Sequence, residues 1–230
     1  MTQQKRISNL AFRFGALGIF GIALGWAIAI LIEVDSLLHI PEFMARTSLS
    51  ELGTYSKSPA AVFLNGGLFF GSLSVALSCL LALQLSKGVA HGVFWFALAL
   101  QFITLAATGL FPMNVHHLHM NAVFAYLCSG VLLAVSLLSV SKYLSPKLMW
   151  LARVIAFWVV VAHVALLVIP QYIEMSQSKP LLNYLIVVDQ ITSISPKPEI
   201  WWQAMTYWSS LACVVTTAII KLNAVRSSYR

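Results

Sequence analysis

Charge is scarce in this chain, and acidic charge most of all. Of its 230 residues 9% are Asp, Glu, Lys or Arg, and only seven are acids. A soluble domain carries about 25% charged residues. An ordinary water-soluble fold is therefore excluded. Cysteine is scarce too: Cys79, Cys128 and Cys213 are odd in number, form no C-x-x-C pair and lie inside apolar runs. That argues against a disulfide framework or a zinc knuckle. They read as small apolar packing residues. Basic residues exceed acids by seven, but no binding module gathers them on one face, so a nucleic-acid partner is not expected. No G-x-S-x-G elbow and no H-E-x-x-H helix occurs, which removes two common hydrolase and metalloprotease signatures.

What is abundant is hydrocarbon. Hydrophobic residues make up 60% of the chain, and several apolar runs approach the roughly 20 residues that cross a bilayer. The expected fold is all-α: a single six-helix transmembrane bundle over residues 1–230. Its spans are expected near 14–33, 60–85, 89–110, 119–140, 148–169 and 200–220, with long loops at 34–59 and 170–199. The first run follows basic residues, yet it is too long for the roughly 7–15 residue core of a signal peptide. Gly18, Gly21 and Gly25 give span one a small-residue face, and Gly67 and Gly71 repeat the spacing in span two. Such faces let helices approach closely in lipid. They are the surfaces expected to mediate any homo- or hetero-oligomer. Leu37, Leu38, Ile40, Phe43 and Met44 predict a short interfacial helix in the first long loop. Ser58-Pro59 reads as the cap and first residue of span two. Phe111-Pro112 stops span three and Pro170 ends span five.

The charges orient the bundle. With six spans both termini share one side. That side holds Lys5, Arg6, Arg13, Lys87, Lys142, Lys147, Arg153, Lys221, Arg226 and Arg230. The other side holds Arg46, Lys57, Lys179 and Lys197 with all seven acids. The positive-inside rule then makes the termini cytoplasmic and the long loops external. A multi-pass protein of a cell membrane is expected, the bacterial inner membrane first among candidates.

The chemistry gathers between Leu110 and Tyr126, where Asn114, His116, His117 and His119 sit in one crossing between two apolar helices. Other polar residues recur at similar outer depth. Asn65 and His163 each lie about 9 Å below the outer end of their spans, at 1.5 Å per residue. Gln101, Thr104 and Thr108 share a helical face, as do Gln203, Thr206 and Ser210. Polar groups inside lipid are costly and often functional. The pattern predicts a polar cavity open to the outer face, against the alternative that these groups glue helices together. The histidine turn admits three readings. His116, His119 and Glu51 would form a zinc set; His119 and His163 would be axial ligands of a haem; or the histidines are interfacial and one serves as an acid–base group. The last is the default, so no metal or other cofactor is assigned. Ser50, with Glu51 beside it and a distant histidine, invites a hydrolase reading; its alternative is an interfacial loop capped by Ser48 and turned by Gly53.

Several short motifs recur together: Ser50-Glu51-Leu52-Gly53 before span two, Leu64-Asn65-Gly66-Gly67 within it, Phe111-Pro112-Met113-Asn114 after span three, and His119 ahead of Ala122-x-x-Ala125-Tyr126. In these the chain resembles the six-helix prokaryotic membrane proteins grouped as domain of unknown function 998. That group is more distantly similar to the Frag/DRAM/Sfk membrane proteins, some linked to GPI-lipid remodelling. The resemblance covers most of the chain and points to Ser50, Glu51, Gly53, Asn65, Pro112 and His119. Where that group often has a basic residue near the start of the last helix, this chain has Gln203.

The functional expectation is a lipid-interacting membrane protein, with a lipid-modifying enzyme as its catalytic form. His119 would be the acid–base group, Glu51 would orient it or bind a cation, and Ser50 would join them. Asn65, Asn114, His116, His163 and Gln203 would line the cavity around a lipid head group. A non-catalytic partner subunit or small-molecule sensor is the alternative. A small-solute transporter or b-type cytochrome is the weaker one.

Overall fold

A computed structural model of the chain describes residues 3–176 and 201–229. They are helical, without strands among them. The helices are α1 (Gln3–Glu33), α2 (Ile40–Arg46), α3 (Leu49–Leu52), α4 (Ala61–Gly66), α5 (Ser72–Leu83), α6 (Val89–Leu110), α7 (His116–Ser141), α8 (Pro146–Ser176) and α9 (Trp201–Ser228). Six helical segments are long and apolar enough to cross a membrane, α4 and α5 together forming the second. Consecutive spans pack side by side, and α9 closes the bundle against both α8 and α1. The third span, α6, is the most enclosed. Phe20, Phe70, Phe96 and Phe157 project outward, each more than half exposed. An apolar outer belt of that kind suits a bilayer and not water. The chain is a multi-pass membrane protein built as an all-α six-helix bundle.

Several boundaries differ from the sequence reading, among them the start of α7, which lies at His116 and not at His119. Helix α1 begins by Gln3, before the basic residues, because Lys5, Arg6 and Arg13 interrupt hydropathy but not helix formation. Helix α9 likewise runs on to Ser228. Its Arg226 guanidinium lies 4.0 Å from the centre of the Phe12 ring on α1. Helix α8 continues past Pro170 to Ser176. By contrast α6 begins and ends as expected. Gly88 takes a positive φ of 87° at the turn before it, a conformation glycine adopts without strain, and Phe111-Pro112 closes it. The interfacial helix forms as a 3₁₀ turn at Leu37–His39 leading into α2, with Leu37 and Leu38 exposed. The loop charges Lys179 and Lys197 and most of the loop 170–199 lie outside the described residues.

Between α4 and α5 the second span makes a π-turn at Gly67–Gly71. Its glycines meet those of α1 backbone to backbone. A Cβ on Gly71 would stand 2.7 Å from the Gly18 carbonyl oxygen, and one on Gly67 would stand 2.8 Å from that of Gly21. A Cβ on Gly109 of α6 would come within 2.8 Å of the Asn65 carbonyl oxygen. This corrects the expectation for oligomer contacts. The glycine faces of spans one and two are buried against each other within one chain, so they are not left for a second one.

Candidate functional site

The site begins with a broken helix. The last carbonyls of a helix have no partner within it, and Pro112 prevents α6 from continuing. The Phe111 carbonyl is thereby left to the next element. His119, one turn into α7, supplies the partner: its Nδ1 lies 2.6 Å from that oxygen. A carbonyl only accepts, so Nδ1 carries the proton and Nε2 presents a lone pair. The Ser50 hydroxyl lies 2.8 Å from Nε2 and donates to it. Ser50 and His119 are 69 residues apart in the chain. The result is a serine–histidine dyad in which a peptide carbonyl stands where an acid often does.

Helix α3 carries Ser50 and is a single turn, too short to hold itself. Four bonds fix it. Ser48 and Glu51 form a capping box at its start, each side chain accepting from the other's backbone N–H. The Thr54 hydroxyl donates to the Ser50 carbonyl at 2.8 Å. Asn65 Nδ2 of α4 donates to the Gly53 carbonyl at 2.7 Å. The backbone N–H of Tyr55 donates to Asn114 Oδ1 at 3.1 Å. Gly53 is needed here because a Cβ would stand 2.7 Å from Asn65 Oδ1. Ser58 donates to Glu33 at 2.5 Å and so ties the end of α1 to the start of span two. It also accepts from Ala60 N–H, although α4 itself begins at Ala61.

A narrow cleft opens onto the dyad, with a cavity volume of about 10 Å³, room for about one water molecule. Ser50, Gly53, Asn65, Thr108, His119 and Tyr207 are among its lining residues. His119 is only 3% exposed while Ser50 is half-buried. The hydroxyl therefore faces the cleft and the imidazole lies behind it.

The other expected residues fall into different places. Glu51 does not orient His119; its Oε2 takes the Ser48 hydroxyl and N–H, and its Oε1 lies 3.9 Å from Lys57 Nζ. A capping acid three residues after its serine is already engaged by the helix start. Asn114 and Asn65 hold the α3 loop. His116 is half-buried beside the dyad helix start, and His117 is exposed, its Nδ1 3.3 Å from Asn121 Nδ2. Gln203 is buried at 8% exposure with Oε1 unpartnered among the described residues.

His163 does not share the cleft. It is fully buried, its Nδ1 donates to the Val159 carbonyl at 2.8 Å, and its ring packs on Tyr126. Its Nε2 faces Gly130 so closely that a Cβ there would stand 2.3 Å away. The backbone of α7 thus covers the nitrogen a haem iron would need. His119 Nε2 meets Ser50 instead, so the paired-ligand arrangement is not formed. Among the described residues no three His, Cys, Asp or Glu side chains gather as a metal set. The single outer cavity expected from the polar depths divides in two. Below the cleft lies a closed polar layer, in which Ser129 donates to Gln101 Oε1 at 2.5 Å and contacts Thr104 at 3.0 Å.

Tyr207 was invisible to sequence reasoning. It lines the cleft and its ring stacks on Tyr126 at 5.6 Å, linking the outer site to the inner layer. Only its place one residue after Thr206, on the polar stripe of span six, hinted at it. No protein-family model matches the chain, and no curated protein or solved structure matches it.

Proposed function

We propose that this chain is a lipid-modifying enzyme of the bacterial inner membrane, working on lipid ester groups at the outer face. We also propose that it belongs with the domain of unknown function 998 proteins its motifs resemble. The observation that carries the enzymatic reading is the dyad: Ser50 Oγ at 2.8 Å from His119 Nε2, with Nδ1 fixed by the Phe111 carbonyl. A serine is a weak nucleophile until a positioned base takes its proton. Here Ser50 Oγ would bond to the ester carbonyl carbon while His119 Nε2 takes the hydroxyl proton. The leaving alkoxide would depart with that proton, and water or a second alcohol would release the acyl group by the reverse exchange. The cleft lies between apolar spans at the end carrying the acids, and this supports a substrate presented from the bilayer. Tyr207, which lines the cleft beside the dyad, would then meet its polar head.

The test is labelling of the detergent-purified protein with an alkyl fluorophosphonate, read by mass spectrometry. Wild type is expected to label at Ser50. Ser50→Ala should abolish labelling, and His119→Gln should slow it at least about a hundredfold, the usual contribution of a general base. Ser209→Ala, a hydroxyl outside the cleft, should label as wild type. An unlabelled wild type, or equal labelling of Ser50→Ala, would overturn the reading.

A further inference from the structure

The opposite end of the bundle holds a second, larger cleft, with a cavity volume of about 380 Å³. It lies between the ends of α5 and α9 and the start of α6, with the α7–α8 turn beside it. Its basic groups are Lys87, His91 and Lys221. Among the described residues no carboxylate side chain lines it. The described acids outside the second long loop, Glu33, Asp35, Glu42 and Glu51, all sit at the other end of the spans.

Basic residues at the ends of spans are ordinary, and lysines there usually extend toward water. Lys221 does not. It is 5% exposed, and its Nζ lies 4.9 Å from the centre of the Phe94 ring. Burying an ammonium group without an anion is costly. A cation–π contact offsets only part of that. Most hydroxyls around the cleft are already donating inward: Ser86 to Leu83, Ser228 to Ala224 and Tyr229 to Leu85. Among the described residues the Lys221 ammonium faces the Phe94 ring, with no carboxylate in the cleft lining beside it. Tyr143 adds a flat wall, stacked on His91 at 4.8 Å.

We propose that this cleft binds the phosphate group of an anionic ligand, with Lys221 as its buried anchor and Lys87 and His91 at its mouth. Phosphate matches a site of two separated lysines and a histidine with no acid among the described lining, since it accepts several charge-assisted hydrogen bonds at once. The phosphate can come from a lipid head group or from a soluble phosphate ester. The cleft opens at the basic ends of the spans, where both are reachable.

Two probes separate the sources. The first is native mass spectrometry of the protein released from nanodiscs containing equal phosphatidylglycerol and phosphatidylcholine. The second is inorganic phosphate titrated into lipid-free detergent samples, read by thermal shift against chloride at equal ionic strength. Lys221→Met keeps the apolar volume and removes the charge. It should weaken phosphate-group binding roughly ten- to hundredfold, the loss of one charge-assisted hydrogen bond. Lys147→Met removes an exposed charge at the same end, outside the cleft, and should leave binding unchanged. Selective phosphatidylglycerol retention lost only in Lys221→Met identifies a lipid ligand. A phosphate-dependent shift lost only in Lys221→Met identifies a soluble one. If neither probe binds, or if both variants lose binding equally, the site does not exist and the charge acts only as a diffuse surface field. Should Lys221→Met fold poorly, Lys87→Met and His91→Gln at the exposed mouth must each weaken binding for the proposal to stand.

Discussion

Substituting Gly18 by Ala adds one carbon where the second span has no room for it. The new Cβ would stand 2.4 Å from the Gly71 carbonyl oxygen, 2.7 Å from Val75 Cγ2 and 2.8 Å from the Val75 nitrogen. Ordinary contact begins at 3.4 Å, so the clash is about 1 Å deep. Two of the three atoms are backbone and cannot rotate away. The helices must part, and the other glycine contacts between α1 and the π-turn open with them. Overpacking of this kind costs typically 1–3 kcal/mol. The gain in helix propensity from Gly to Ala is about 1 kcal/mol at most. With rigid partners the upper part of the range applies, leaving a net loss of about 2 kcal/mol.

Gly66 supplies the contrast within the same span. Nothing lies within 4 Å of a Cβ built there, so Gly66→Ala should be neutral or stabilise by up to about 1 kcal/mol. The two variants make the same chemical change and should differ by about 3 kcal/mol. The assay is reversible unfolding in mixed micelles, followed by far-UV circular dichroism as the denaturing detergent fraction rises. If Gly18→Ala matches Gly66→Ala within about 0.5 kcal/mol, the spread of ordinary surface substitutions, the close packing of α1 on the π-turn is wrong.

Glu51→Ala should cost about 1 kcal/mol of stability, the typical value of a lost helix cap, while fluorophosphonate labelling of Ser50 persists in the folded fraction; complete loss of labelling would instead return Glu51 to the dyad. Gly130→Ala should destabilise by pushing on His163, whose Cδ2 and Nε2 lie 2.3 Å from the added Cβ. Adding His163→Ala should relieve that clash, so a double-mutant cycle is expected to be non-additive by about 1 kcal/mol or more; an additive result would separate the two side chains.

How much of this was legible in the sequence depends on how local each signal is. The spans were readable because each is a continuous apolar run, and α6 was read to the residue because Gly88 and Phe111-Pro112 bracket it. The ends of α1 and α9 were not, since Lys5 or Lys221 marks where lipid gives way to water and not where a helix stops. The π-turn was hidden because Gly-Leu-Phe-Phe-Gly suits an α-helix equally well. Ser50, Asn65 and His119 stood out as polar groups beside hydrocarbon. The bond between Ser50 and His119 did not, because it joins residues 69 positions apart. Glu51 misled for the opposite reason: its nearness in sequence suggested catalysis, while a capping box three residues long already claimed it. Lys221 was read as a topology marker, and only its burial against Phe94 gives it another role.

The polar residues around the dyad make more sense as parts of one positioning device than as separate ligands. Pro112 ends α6 and leaves the Phe111 carbonyl without a helical partner. His119 completes that carbonyl's bonding, and in doing so has its tautomer chosen for it. Ser50 reaches the remaining nitrogen only if the single turn of α3 stays against α7. Asn65 holds that turn from the span-two side through Gly53, and Asn114 holds its exit through Tyr55, from the same Phe-Pro break that frees the carbonyl. The break in the third span therefore sets the histidine and anchors the serine loop together. The Phe111 carbonyl takes the place beside His119 where an acid often stands, and Glu51 caps its own helix. The positioning device also explains why the motifs that drew attention in the sequence lie in three distant stretches: each contributes one contact to the same small volume.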